Sequence, residues 1–403
     1  MTKETETNHN TELRPKKRLL FVISRFLDGG IDTVLIEYLR YIVKKGDYEL
    51  TLAIGVYMGN LEVFVKAVPR EVKVIYLNRP VFLTKYPMQR VKGTISYKKK
   101  LFDEVVLNPI RRFAIKRGLH RLAKENDVII DFACRYSAFM GGIHKPKVGY
   151  YHFSPLSEIP EGKRKHVGKR LDRYDRLVTI SDAMRKEFVG IFPELAGKLR
   201  MIYNGKDIHA LEKKAATPSD SLPPQPYFLS VERLEESQKD LTTLLHAMKI
   251  LKEKYQIGTP LYILGKGKSE KQLRSLAKNL GIAEQIHFLG FTSNPYPWLK
   301  NCELLLHSAK FEGLPTALVE GLLLDKIIVC SDCPTGPKEI LDGGKAGVLV
   351  PTGDAESFAK AVAEVLSDSQ MRQNILDGIQ AHKRVFTFDD TYSQFQALIN
   401  ELI

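Results

Sequence analysis

Glu312 and Glu320 are the pair of residues in this chain whose type and spacing could do chemistry most directly. They frame the segment Phe311-Glu312-Gly313-Leu314-Pro315-Thr316-Ala317-Leu318-Val319-Glu320-Gly321, behind the apolar run Leu304-Leu305-Leu306. The run reads as a buried strand. Pro315 stands where a first helical position belongs, and Thr316 to Leu324 can carry the helix. A strand, a tight glycine turn and a helix point backbone N–H groups and the positive end of a helix dipole at whatever binds near Leu314, Pro315 and Thr316. That geometry suits a phosphate or diphosphate. Glu312 would lie in the turn beside the anion. Glu320, over a turn further along, could accept hydrogen bonds from two sugar hydroxyls, because a carboxylate has two acceptor oxygens and no donor. The alternative for an isolated pair at this spacing is a surface helix with two solvated glutamates.

A departing diphosphate needs positive charge. Arg233 and Lys239 follow the apolar run Tyr227 to Val231, where a guanidinium fork and an ammonium can meet phosphate oxygens. No D-x-D pair on a loop offers a metal site, so no metal and no further cofactor are expected. Gly29-Gly30 after the first strand allows close backbone approach to a ligand, or is an ordinary tight turn. Gly265 and Gly267 form a G-x-G turn that would shape the site wall. His152 ends the strand Val148 to Tyr151 and offers an imidazole near neutral pH, or a packed loop histidine. In Asn294-Pro295-Tyr296-Pro297-Trp298 an aromatic ring could meet a nucleobase, but Trp298 reads better as core packing. Cys330 and Cys333 share C-x-x-C spacing, yet no further ligands are spaced for zinc, and the proline and glycine that follow do not suit a redox pair.

These residues need elements to hold them. Arg18 to Ser24 is a continuous apolar strand of the kind buried in a parallel sheet, and Thr33 to Val43 an amphipathic helix. Further strands are expected at Leu50–Val56, Val72–Leu77, Asp127–Phe132, Lys147–His152 and Leu177–Ile180. After a break they recur at Tyr227–Val231, Leu261–Leu264, Ile286–Phe288, Glu303–Leu306 and Ile327–Cys330. Residues 78 to 100 read as a long loop, and 204 to 225 as a linker. Two stretches of alternating strands and helices imply two doubly wound α/β domains, and ligands of such sheets sit beyond the C-terminal strand ends, where every candidate above falls. The expected domains are a polar, disordered tail at 1–17, a first domain at 18–205, a second at 206–386 and a helical segment at 387–403 that contains Asp389–Leu402.

The 403 residues carry a formal net charge of +14. The excess concentrates between Lys85 and Lys124, with Lys98, Lys99, Lys100, Arg111 and Arg112 among twelve basic residues opposed only by Asp103 and Glu104. Such a stretch favours an anionic partner, either a membrane surface or a phosphorylated glycan, or is simply a solvated surface. Nucleic acid is disfavoured, since no recognition motif with interleaved aromatics accompanies it. No apolar run reaches the roughly 18 residues needed to span a bilayer, and no signal-peptide core is visible. The expected location is the cytoplasm.

Several segments together resemble the retaining GT-B glycosyltransferases of the family 4 type, as found in lipopolysaccharide and polysaccharide synthesis. The Glu312–Glu320 segment is similar to their donor-binding motif. Arg233-Leu234 with Lys239 resembles their Arg-Leu…Lys element, one residue longer than the commonest spacing. Leu261 to Gly267 resembles their strand and G-x-G turn, with Lys266 where an acidic residue is common. Gly336-Pro337-Lys338-Glu339-Ile340, Asp28-Gly29-Gly30, Thr179 to Asp182 and Ile202 to Gly205 fit as well. The resemblance covers about residues 18 to 403 and is tighter in the second half. It implies two Rossmann-like domains facing across a cleft, the first binding the acceptor and the second the nucleotide-sugar, a C-terminal helix crossing back to the first domain, and metal-independent transfer with retention from a nucleotide-sugar, a UDP-sugar first, to a hydroxyl of a cell-surface glycan or lipid-linked oligosaccharide at the cytoplasmic face of the inner membrane. His152, Arg233, Lys239 and Glu312 would act at the reacting groups. Gly29, Gly30, Arg233, Lys239, Gly265, Leu314, Pro315, Thr316 and Glu320 would hold the donor. A nucleotide-sugar epimerase or phosphorylase on the same fold, or a non-catalytic membrane- or glycan-binding protein, are the rival readings. A dehydrogenase is disfavoured because neither half has G-x-G-x-x-G after its first strand.

Overall fold

The computed structural model describes residues 15–27, 30–152, 155–219 and 222–403. The expected tail, up to residue 14, and Gly29 lie outside them. Contacts divide the chain into two compact units, Met1–Val148 with Ile403, and Gly149–Leu402.

The first unit is built on β1 (Lys17–Ile23), β2 (Tyr48–Ile54), β3 (Lys73–Tyr76) and β4 (Val128–Asp131). β1 pairs in parallel with β2 and β4, and β2 with β3. Leu19 to Val22 have no exposed surface, as an apolar strand covered on both faces requires. Helix α1 spans Gly30–Lys45, longer at both ends than the apolar stripe suggested. Its buried Asp32 accepts a hydrogen bond from Leu27 N at 2.9 Å, which ties the incoming turn to the helix start.

Residues 78–100, expected as a loop, contain two helices instead. Helix α2 covers Val81–Val91 and α3 covers Tyr97–Phe102; a π-helical turn, Asp103–Leu107, leads on to α4 (Asn108–Glu125). The misreading has a physical cause. Val81, Phe82 and Tyr97 stand in solvent, so the apolar side chains do not collect on one buried stripe for periodicity to detect. Among the described residues no helix is long and apolar enough to cross a membrane.

The remaining strands are β5 (Lys147–Tyr151), β6 (Arg176–Thr179), β7 (Leu199–Met201), β8 (Phe228–Val231), β9 (Leu261–Leu264), β10 (Ile286–Gly290), β11 (Leu304–His307), β12 (Ile328–Ser331) and β13 (Val348–Val350). The first sheet has the order β3-β2-β1-β4-β5-β6-β7 and the second β10-β9-β8-β11-β12-β13. In the second sheet β8 pairs in parallel with both β9 and β11, so the strand order reverses there. The fold is two Rossmann-like parallel-sheet domains. The core of the second holds Phe228, Leu229, Leu244, Leu304 to Leu306 and Phe358.

The stretch 204–225 is not a plain linker. Helix Ile208–Ala215 lies in it, capped by the Asp207 side chain on Ala210 N at 3.2 Å. Gly205 has no room for a side chain, because a Cβ there would lie 2.4 Å from Thr387 O. The C-terminal helix Phe388–Leu402 is tied to the first sheet, where Glu401 Oε1 accepts from Arg176 Nη2 on β6 at 2.5 Å and from Arg200 Nη2 on β7 at 2.6 Å.

Candidate functional site

The ends of β8 and β11 lie side by side in the second sheet, and their side chains make a closed set of bonds. Ser230 Oγ donates to Glu232 Oε1 at 2.6 Å. His307 stands between two carboxylates, Nδ1 at 3.4 Å from Glu232 Oε2 and Nε2 at 3.0 Å from Glu312 Oε1. Lys239 Nζ donates to the same Glu312 oxygen. The side chains of Glu232, His307, Glu312 and Lys239 are all at most a tenth exposed.

Electrostatics fix how this cluster carries its protons. Burial pushes the Glu232 carboxyl up, against the lowering pull of His307 and Lys239. Burial would raise Glu312 too, but the His307 hydrogen bond and the Lys239 charge outweigh it and hold that carboxyl below its ordinary value. Glu312 therefore stays ionised against Lys239. Glu312 Oε1 takes both bonds, so Oε2 is the acceptor left for a ligand hydroxyl.

Neighbouring turns brace the cluster. The Gly265-Lys266-Gly267 turn packs on the segment Glu232–Leu234: Glu232 N donates to Leu264 O at 3.0 Å and Leu234 N to Lys266 O at 3.2 Å. A Cβ on Gly265 would come within 1.8 Å of Glu232 O, and one on Gly267 within 2.1 Å of Leu234 O. Both glycines thus position the β8 turn. On the other side, Thr335 Oγ1 donates to Glu312 O, and Gly336, at φ +88°, leaves no space for a Cβ against Gly313 O at 2.5 Å. Helix Thr316–Leu323 starts as expected and ends one residue earlier, with Pro315 extended at its N-cap rather than in the first helical position and Leu314 half-buried just before it.

Glu320 faces a different set of groups. It is buried, with Oε1 3.2 Å from Tyr296 Oη and 3.4 Å from Lys206 Nζ, itself buried. Arg233 is exposed, two residues beyond β8, and its Nη2 donates to Gln238 Oε1 at 3.2 Å. The structure brings Lys239 and Glu312 together and leaves Arg233 at the surface. His152 stands on the other sheet, at the end of β5, buried and stacked on Tyr150 with ring centroids 6.1 Å apart. Gly30 opens α1, where a Cβ would meet nothing within 4 Å; Gly29 lies outside the described residues. Trp298 packs in the core on Tyr227 and Tyr262, while Tyr296 from the same loop reaches Glu320. Cys330 and Cys333 are free, and burial pushes both thiols up, Cys333 to about 12, which makes them poor nucleophiles.

Sequence reasoning does not assign Glu232 or Lys206 to the site, and His307, which ends the strand before Glu312, reads from sequence only as a residue that could line it. A carboxylate at the end of an otherwise apolar strand was the available signal for Glu232, since a buried acid needs a partner. Lys206 gave none, because its pairing with Glu320 spans distant parts of the chain.

Residues 213–380 match the family model of the group 1 glycosyl transferases. This segment holds every residue of the second-sheet cluster. Among curated proteins, an N-acetylgalactosamine-N,N'-diacetylbacillosaminyl-diphospho-undecaprenol 4-alpha-N-acetylgalactosaminyltransferase of Campylobacter jejuni is 27% identical over 212 residues, 53% of this chain and 56% of that one. The lipopolysaccharide core biosynthesis glycosyltransferase LpsE of Rhizobium meliloti is 28% identical over 184 residues, 45% of this chain and 51% of its own. The chain spans about half the length of the curated relatives it matches. Among solved structures, Anabaena Alr3699/HepE in complex with UDP superposes with a TM-score of 0.74 at 18% identity, covering 96% of this chain and 100% of that one. The apo lipopolysaccharide outer core galactosyltransferase WaaB gives 0.71 at 18%, with the same coverage. The two-domain fold is thus the GT-B architecture of known glycosyltransferases, and its second sheet carries the segment matched by the group 1 glycosyl transferases.

Proposed function

We propose that the protein is a retaining, metal-independent glycosyltransferase that moves a sugar from a UDP-sugar to a hydroxyl of a lipid-linked or cell-surface glycan. One observation carries the reading: Glu312, held ionised by Lys239 and His307, sits at the start of the helix turn whose N–H groups suit a diphosphate, inside the segment matched by the group 1 transferases. The same turn leads to Glu320, a buried acceptor for ribose hydroxyls. Arg233 offers the leaving diphosphate a guanidinium with a free approach from solvent. The relatives' names give the acceptor class, a diphospho-undecaprenol-linked sugar in one and a lipopolysaccharide core in another. A relative that forms an alpha linkage supports retention, given an α-configured donor. UDP in a neighbour of the same fold supports the nucleotide. His152 would contact the transferred sugar.

Among the described residues no carboxylate is placed as an evident covalent nucleophile, because Glu312 is engaged by Lys239 and His307. Front-face attack, with the departing phosphate taking the acceptor proton, is the step this arrangement favours. A screen of nucleotide-sugars by nucleotide release, with and without lipid-linked acceptor, tests the reading, with mass spectrometry of the glycan product. Release that needs no acceptor would instead favour an epimerase or phosphorylase. Activity should survive EDTA; abolition by EDTA and recovery with Mg²⁺ or Mn²⁺ would overturn metal independence.

The work would take place at the cytoplasmic face of an anionic membrane. Ten of the sixteen large apolar side chains that stand exposed among the described residues fall between Val81 and Phe113, interleaved with exposed Lys85, Lys92 and Lys98 to Lys100. Apolar and cationic side chains mixed on one stretch suit the headgroup region of a bilayer.

A further inference from the structure

The first unit has a cavity to which the transferase reading assigns no particular chemical group. It encloses about 610 Å³ beyond the ends of β1, β2 and β4, with Ser24, Val56 and Tyr136 among its lining residues. Ligand pockets have this size, and the C-terminal strand ends are where doubly wound sheets place them. Five arginines surround it: Arg25, Arg90, Arg111, Arg112 and Arg135. Only two carboxylates, Asp103 and Glu104, share the lining.

Those carboxylates serve as struts. Buried Asp103 receives Arg111 Nη1 at 2.6 Å and Arg90 Nη2 at 3.2 Å. Arg111 also donates to Leu83 O at 3.1 Å, and Arg90 Nη1 reaches Glu104 at 3.1 Å. Arg111 was expected in the solvated basic stretch, yet it faces inward. Arg25 and Arg112 are exposed and pair with no carboxylate among the described residues; Arg112 lies over the Phe139 ring at 4.9 Å. The turn that carries Arg135 is held by Asp131, whose oxygens accept from Arg135 N at 3.2 Å and Tyr136 N at 2.7 Å. Guanidiniums in excess of carboxylates repel one another, and an anion inside the cavity removes that repulsion. A guanidinium fork matches two phosphate oxygens at once.

The helical run around this wall has two faces. Asp103, Glu104, Asn108, Arg111, Arg112 and Ile115 line the cavity. Leu101, Phe102, Val105, Val106, Ile110 and Phe113 stand exposed. One run of helix thus offers an arginine-lined cavity beside an apolar surface, a combination suited to the anionic end of an amphiphile.

We propose that this cavity binds a phosphate-class group, a phosphomonoester or diphosphate. If the transferase reading holds, the group belongs to the acceptor; the anion site itself does not depend on that reading. The test titrates the full chain with inorganic diphosphate at physiological salt, with UDP saturating so that any donor site is filled. Arg25→Gln/Arg112→Gln, both at exposed positions, should weaken diphosphate binding by about tenfold or more, the order expected for lost hydrogen bonds to a charged group. Lys98→Gln/Lys99→Gln/Lys100→Gln should leave it within about twofold, since surface charges beyond the site are screened. Equal affinity in wild type and the arginine double variant overturns the proposal, as does an equal loss in the lysine triple variant. UDP affinity measured separately on both variants reports on the donor site, so failure of the transferase reading is seen independently. Vesicles doped with a phosphomonoester lipid then separate the sources. Binding lost in the arginine double variant assigns the group to a lipid headgroup; binding kept there, with diphosphate affinity lost, assigns it to a soluble or acceptor phosphate.

Discussion

The two strand-end sites handle charge in opposite ways. In the second sheet Glu232, His307, Glu312 and Lys239 balance one another in a buried, hydrogen-bonded set. In the first unit five arginines face two carboxylates, and Arg25, Arg112 and Arg135 are exposed. A balanced buried set is rigid before a ligand arrives and can offer single acceptors to neutral hydroxyls. An unbalanced, solvated set gains its order from an anion. The first kind should fail structurally when one member is removed; the second should lose only its ligand.

Removing Lys239 tests this most severely. Lys239→Ala leaves Glu312 buried with its hydrogen bond to His307 but without its lysine partner, and breaking a buried pair costs about 3–5 kcal/mol. Chemical denaturation should show that loss, and Lys239→Ala/Glu312→Gln should recover much of it. An isolated Lys239→Ala that unfolds like wild type would show that the pair is not coupled. Arg25→Gln/Arg112→Gln, by contrast, should leave the denaturation curve unchanged.

The same contrast explains what could be read from the sequence. β9 was read residue for residue, and β8, β10, β11 and β12 were placed within a residue or two, because each is a short apolar run bounded by turn residues. Glu312 and Glu320 stood out because a glycine turn and a proline-led helix surround them. The partners Glu232 and Lys206 were not assigned, since side-chain pairing between neighbouring strands or distant segments leaves no local pattern. The three-residue strands β7 and β13 are too short to show alternation. In the first unit α2 and α3 went unread because their exposed apolar residues blur the helical stripe. Three arginines of the cavity, Arg90, Arg111 and Arg112, were hidden within a run of basic residues that looked like one solvated surface, and Arg25 and Arg135 join them from distant parts of the sequence.

A smaller effect should follow from Glu320→Ala. Glu320 is buried against Tyr296 and Lys206, and as the proposed ribose acceptor its loss should weaken UDP binding by about 1.5–3 kcal/mol. Calorimetry showing unchanged affinity for UDP and for every nucleotide-sugar tried would remove it from the donor site.

The pH dependence of stability sharpens the internal contrast between the two carboxylates. Glu312 has its folded pKa lowered, so its contribution is present above the unfolded value and is lost as pH falls through the folded one. Glu232 has its folded pKa raised, so its contribution is full below the unfolded value and is lost as pH rises through the folded one. Glu312→Gln should therefore flatten the acid side of the melting-temperature profile, and Glu232→Gln should flatten the loss at higher pH. Profiles parallel to wild type in both variants would mean that neither carboxylate is perturbed by folding.

The gentlest test concerns the exposed face of the first unit. Lys99 is exposed on α3, between Tyr97 and Leu101, which are exposed as well. A basic residue near an anionic bilayer contributes about 1 kcal/mol, screened over a Debye length. Lys99→Ala should thus reduce binding to acidic vesicles by about fivefold at low salt, with the difference fading as ionic strength rises. Phe113→Ser should weaken binding at high salt as well, because apolar contact is not screened. A flotation assay in which both variants bind like wild type would return this face to an ordinary solvated surface. The arginine cavity behind it would then have to draw its anion from solution rather than from a membrane.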